Sequence, residues 1–163
     1  MKNIVIWVVL IIIIGVGGYY WFMKSGSNDA TQPADGTSMP TQTIRGALLD
    51  VTKGDPVRGI STLPTTTGAA TASFDGTTYV VNATFTDLPE PQGDDFYEGW
   101  IVRKGINFAF ESTGPLTNEG ARAYSNNFTS STNYLDYDFY VLTLEPNDND
   151  PAPADHIVEG DLR

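Results

Sequence analysis

The sequence predicts an all-β domain, an antiparallel β-sandwich of about 7-8 strands, preceded by one transmembrane helix. Beyond Ile44, apolar and polar side chains alternate in short runs, the period of a half-buried strand. Gly, Pro, Asn and Asp cluster between those runs at the spacing of a sandwich. No window in this part holds a helical apolar period over helical length. The N-terminal segment stands apart as one unbroken apolar run.

That run, Ile4 to Met23, comprises 20 uncharged and mostly apolar residues between Lys2 and Lys24. As a helix it would be about 30 Å long, enough to cross a hydrocarbon core. Tyr19, Tyr20, Trp21 and Phe22 gather at one end, where amphipathic rings favour the headgroup layer. Residues 1–24 are therefore expected to be an anchor that meets membrane lipid through residues 4–23. The alternative is a cleaved signal peptide, with Gly15 and Gly17 before the cut. Cleavage there would leave the aromatic cluster at the start of a soluble protein, which favours retention. Three residues precede the run, so the remaining chain is expected on one side, the outside, as the extracytoplasmic part of a single-pass cell-membrane protein. Residues 25–43 are small, polar and proline-punctuated, the composition of a flexible linker with an end-to-end distance of about 24 Å.

The domain is expected over 44–163. "IRGALLDV" opens it, and "GDPVRGISTLPTTTG", with its prolines and glycines, reads as an irregular crossover. "ATASF" and "TTYVVNATF" form a hairpin turned at Asp75-Gly76, with Tyr79, Val81, Ala83 and Phe85 sharing one face. "FYEGWIVRKGINFAFES" is a second hairpin with Arg103 to Gly105 near its turn. "ARAYSNNF", "DFYVLTLEP" and "HIVEGDL" complete the strands.

Composition narrows the function. With 40% hydrophobic and 12% aromatic residues the chain suits a packed core. Residues 25–163 hold all 20 acids against seven basic residues, a formal charge of −13 that repels phosphate backbones and argues for no nucleic-acid partner. The absence of cysteine excludes disulfides, thiolate metal sites, a thiol nucleophile and a lipidated cysteine. The sequence has no nucleophile elbow, phosphate loop or paired-histidine zinc motif, and no enzyme or cofactor is expected.

Two segments carry a resemblance. "FTDLPEPQGDDFYEGWIVRKG" has a strand ending in a Leu-Pro turn, a short polar loop, then Tyr97, Trp100 and Ile101 in an aromatic-rich strand. "YVLTLEPNDNDPAPADHIVEG" has Leu-Thr-Leu-Glu-Pro, an acidic loop and a proline-rich return. Together they resemble the extracytoplasmic C-terminal domain of the anti-sigma-K factor family, over roughly Ala69 to Leu162. The resemblance implies a membrane-tethered sandwich outside the cytoplasm, in a family whose outer domain is thought to sense or to gate proteolysis. It does not carry over the cytoplasmic sigma-binding region, for which Met1 to Asn3 leave no room. A binding or sensing module, with a protein partner in the envelope, is the expectation; a structural envelope protein is the alternative.

Asp148, Asp150 and Asp155, with Asn147, Asn149 and Glu145, are hard oxygen ligands of the kind calcium takes. Pro151 stands where a calcium loop would need glycine, so a solvated turn is the simpler reading and no metal is expected. His156 has no second histidine or cysteine for zinc and reads as a strand-end residue. Asp94-Asp95 and Asp136 with Asp138 could act as catalytic carboxylates only across a cleft, and read better as loop solvation. The aromatics, Trp100, Phe108 and Phe110 among them, are expected to be mostly core. Tyr134 and Tyr137 fall in a loop, where local packing competes with an exposed patch for a glycan or protein. Asn82 and Asn127 each begin a glycosylation sequon.

Overall fold

Nine antiparallel strands account for the folded part of the computed structural model, which describes residues 40–163. The expected anchor, and the expected linker as far as residue 39, lie outside the described residues. The strands are β1 (Gln42–Asp50), β2 (Thr67–Phe74), β3 (Tyr79–Thr86), β4 (Phe96–Arg103) and β5 (Ala109–Pro115), followed by β6 (Thr117–Gly120), β7 (Ala123–Ser130), β8 (Phe139–Glu145) and β9 (Asp155–Asp161). The described residues contain no helix. β1 starts two residues before the expected domain boundary at Ile44. β6 was not foreseen, because all four of its residues are exposed and none of them is apolar.

The expected sandwich of about 7-8 strands is instead one sheet of nine. Hydrogen bonds join all nine strands in a single order, β5-β4-β8-β9-β1-β2-β3-β7-β6, and this sheet curls until it is nearly a barrel. Tyr79, Val81 and Phe85 of β3 share one core with Ile101, Tyr140 and Leu142 of β4 and β8. β1 and β9 meet at a seam. Arg45 and Arg163 exchange backbone hydrogen bonds of 2.8 and 2.9 Å at one end, and Leu49 pairs with Glu159 at the other. Between them the backbones pass so closely that a Cβ on Gly46 would lie 1.9 Å from the Asp161 carbonyl oxygen, and one on Gly160 2.3 Å from that of Ala47. Only glycine permits that approach.

At the opposite side the curl is closed by a side chain. Asn126 of β7 donates through Nδ2 to the carbonyls of Thr113 (3.1 Å) and Gly114 (3.2 Å) on edge strand β5, and its Oδ1 accepts from the buried Tyr140 hydroxyl (3.0 Å). A side chain on Gly99 would strike the Tyr140 hydroxyl oxygen at 2.0 Å, so this glycine makes room for the cluster.

Loops follow local chemistry. Asp75 Oδ1 accepts from the backbone of Thr77 (2.9 Å) and Thr78 (2.8 Å), and Gly76 takes φ 99°, which makes the expected β2–β3 turn. The segment 54–68 was expected to cross over; instead the excursion over residues 51–66 returns to the neighbouring strand, since β1 pairs directly with β2. This excursion is fastened by Thr62 Oγ1, which donates to Asp50 (2.9 Å), and by the Thr52–Thr62 hydroxyl contact of 2.7 Å. Tyr97 donates to the Pro89 carbonyl (3.0 Å), tying the Leu88-Pro89 turn to β4.

Candidate functional site

β4 and β8 are apolar on both faces. Tyr97 and Ile101, with Tyr140 and Leu142, point into the core, while Trp100, Val102 and Val141 form a separate apolar cluster on the outer face. β5 adds Phe110, whose ring meets Trp100 edge-on at 5.8 Å, and Phe108 follows at 6.1 Å from Phe110. With Pro153 from the returning loop and His156 from β9, these residues line a groove of about 240 Å³. Phe108 is 65% exposed and Phe110 43%. Both were expected in the core, but β5 is an edge strand and its outer face has nothing packed over it among the described residues.

Beneath the groove runs a buried polar chain. Trp100 Nε1 donates to Thr143 Oγ1 (2.8 Å), and that hydroxyl donates to the carboxylate of Glu145. The same carboxylate accepts from the Ala154 backbone N–H (2.9 Å). Glu145 is only 3% exposed, so a residue grouped with the wet acids of a solvated turn is a buried structural clamp. It pins the end of the acidic loop to the groove floor. At the rim, His156 Nδ1 lies 2.8 Å from Glu159 Oε2.

The other sequence candidates are dispersed. Asp148 and Asp150 sit exposed in the β8–β9 loop, where each accepts a backbone N–H two residues on, at 3.0 Å, as turn-forming residues do. Asp155 starts β9, and among the described residues no three acidic or histidine side chains converge as a metal set. The nearby cation is Arg58. Its guanidinium forks onto Asp95 with two 2.8 Å bonds, and its pKa is raised first by that bond and further by the charges of Asp155 and Asp148. Asp95 is lowered in turn. Asp136 is engaged by Arg103 (2.7 Å), so each acidic pair gives one member to an arginine. Tyr134 and Tyr137 are packed: Tyr134 meets Tyr79 at 5.5 Å, and Tyr137 lies under the Arg103 guanidinium at 5.1 Å. Asn82 and Asn127 oppose each other on β3 and β7 and share a hydrogen bond on the exposed face.

No family model, curated protein or solved structure matches this chain.

The groove was missed although a signal for it exists. "WIV" and "YVL" are unbroken apolar runs, and an antiparallel strand with one wet face should alternate instead. Such a run marks a second apolar face. A larger, open depression of about 540 Å³ over the β1–β9 seam is lined by Arg45, Asp161 and Arg163, and Arg163 already pairs with Asp161 at 2.6 Å.

Proposed function

We propose that this chain is a single-pass, membrane-anchored extracytoplasmic module that binds or senses a protein partner. In this reading its curled sheet is the counterpart of the β-sandwich in the outer domain of anti-sigma-K factors, and it has no catalytic role. The anchor is supported by the apolar run 4–23. The binding role rests chiefly on one observation, the aromatic groove outside the core between Trp100, Phe110 and Val141.

The chemistry of the groove selects its occupant. At about 240 Å³ it falls below the ~300–1,000 Å³ typical of small-molecule sites. Its walls are hydrocarbon and its one indole N–H is already spent on Thr143, so it offers a sugar few hydrogen bonds. An apolar or aromatic side chain fits better. Glu98 and Glu159 lie on the same face and the domain is strongly acidic, which favours a segment that also carries Lys or Arg. A panel of peptides pairing Leu or Phe with Lys or Arg, titrated against the full chain in lipid nanodiscs, tests this. Saturable, salt-weakened binding that Phe110→Asp abolishes is the expected result. Equal binding by Phe110→Asp, or none by any peptide, would refute it and leave the structural envelope reading.

A further inference from the structure

The two ends of the curled sheet differ in charge. Strand registers place the start of β1, the β2–β3 turn, the β4–β5 turn and Arg163 at one end, since Gln42 pairs with Phe74, Val102 with Phe139, Phe139 with Asp161, and Arg45 with Arg163. The chain enters the domain at this end. Arg45, Arg103, Lys104 and Arg163 stand there beside Asp75, Asp136, Asp138 and Asp161, so the end is formally neutral. The far end, made of segments 51–66, 87–95 and 146–154, holds seven acids against only Lys53 and Arg58.

The neutral end also carries the most exposed apolar side chain in the described residues. Ile106 at the β4–β5 turn is fully solvated, and Phe108 beside it is 65% exposed. Gly105 (φ 93°) shapes the turn that presents them, and Lys104 flanks them with its ammonium over the Phe139 ring at 4.2 Å. An acidic protein gains nothing in water from an isoleucine held out on a turn. Apolar tips flanked by cations suit the boundary between lipid headgroups and acyl chains.

We propose that the β4–β5 turn docks on the bilayer, with Ile106 and Phe108 entering the interface while Arg103, Lys104 and Arg163 stay paired with Asp136 and Asp161, so that this end meets the headgroups without net charge. The inference rests on the anchor reading. Residues 25–41 separate Lys24 from β1, and a polar linker of that length spans about 23 Å on average. That tether holds the neutral end, rather than the acidic one, near the surface. Docking would then turn the acidic loop outward and place Phe108, one wall of the aromatic groove, at the interface, with Trp100, Phe110 and Val141 on the flank.

The cysteine-free sequence allows a direct test. Ile106→Cys and Asp148→Cys are each labelled with an environment-sensitive fluorophore in the full chain, reconstituted in vesicles of phosphatidylcholine and phosphatidylglycerol. The label at position 106 is expected to be quenched by nitroxide-bearing lipid and shielded from aqueous iodide, with the reverse at position 148. A chain that floats with the vesicles but shows the same quenching at both positions overturns the docking alone. Shielding at 106 without lipid quenching does the same, and assigns the turn to a second copy or another protein surface. A chain that fails to float overturns the anchor and the docking together.

Discussion

Asn126 closes the curled sheet, and removing its amide gives a quantitative test of that closure. The residue is 4% exposed, and it serves two carbonyls of β5 and the hydroxyl of Tyr140, which is itself fully buried. Asn126→Ala leaves the buried Tyr140 hydroxyl and Thr113 carbonyl without these partners, and the part-buried Gly114 carbonyl with one fewer. Each buried polar group so stranded costs about 1–3 kcal/mol. The carbonyls keep a second lone pair for other partners, so the sum sits near the low end, at about 3 kcal/mol. That is a large part of the ~5–15 kcal/mol that holds a domain together. For a domain of this size it corresponds to a fall in melting temperature of roughly 10–15 °C. Calorimetry of the full chain in micelles measures it, with Asn127→Ala as the control. That neighbour bonds Asn82 on the wet face, and its loss should stay within about 0.5 kcal/mol. Amide exchange at Thr113 and Gly114 should quicken only in the Asn126 variant. An Asn126→Ala protein as stable as the control would refute the closure.

Gly160→Ala and Gly46→Ala each place a methyl against backbone at the β1–β9 seam, where nothing flexible can yield. Each should cost at least the ~1–3 kcal/mol of an overpacked core, read as a lower urea midpoint, and unchanged midpoints would contradict the close approach. Acid should weaken the fold through three carboxylates whose pKa values are lowered: Asp75 by the backbone N–H groups of Thr78 and Thr77, Asp95 by Arg58, and Asp161 by Lys104. A group held low stabilises the fold fully above its unfolded value of about 4 and loses that contribution as pH falls through the folded value. The melting temperature should therefore drop below about pH 4, less steeply in Asp95→Asn, and a flat profile would contradict it. Calcium at millimolar concentration should leave the melting temperature where chelator leaves it, because Asp148 and Asp150 each give Oδ1 to the loop backbone and no three acids converge among the described residues.

Strands whose faces meet different surroundings were legible. Tyr79, Val81, Ala83 and Phe85 alternate with the less buried Val80, Asn82 and Thr84 and are all buried, as the period requires. The Asp75-Gly76 turn and the last hairpin, β8 to β9, were readable because their chemistry is local. The single curled sheet was not. Its seam joins β1 to β9, strands at opposite ends of the domain sequence, and nothing in either one names the other. Alternation does point Asn126 inward with Tyr124 and Phe128, yet its partners on β5 and β8 are set by the curl alone. The groove hid for a related reason: Trp100, Val102 and Val141 look like core by composition, and only the path of the sheet shows that they face outward.

The pairing of Arg45 with Arg163 also has a mechanical meaning. The first and last strands run antiparallel as neighbours, so the two chain ends leave the sheet side by side. A load applied between residue 40 and residue 163 would open this seam one pair at a time, like a zipper, beginning at the arginines. The same load applied between residue 40 and the β8–β9 loop would act along the strands and meet many bonds at once. Of these two pairs of attachment points, the first should yield at low force and the second should resist.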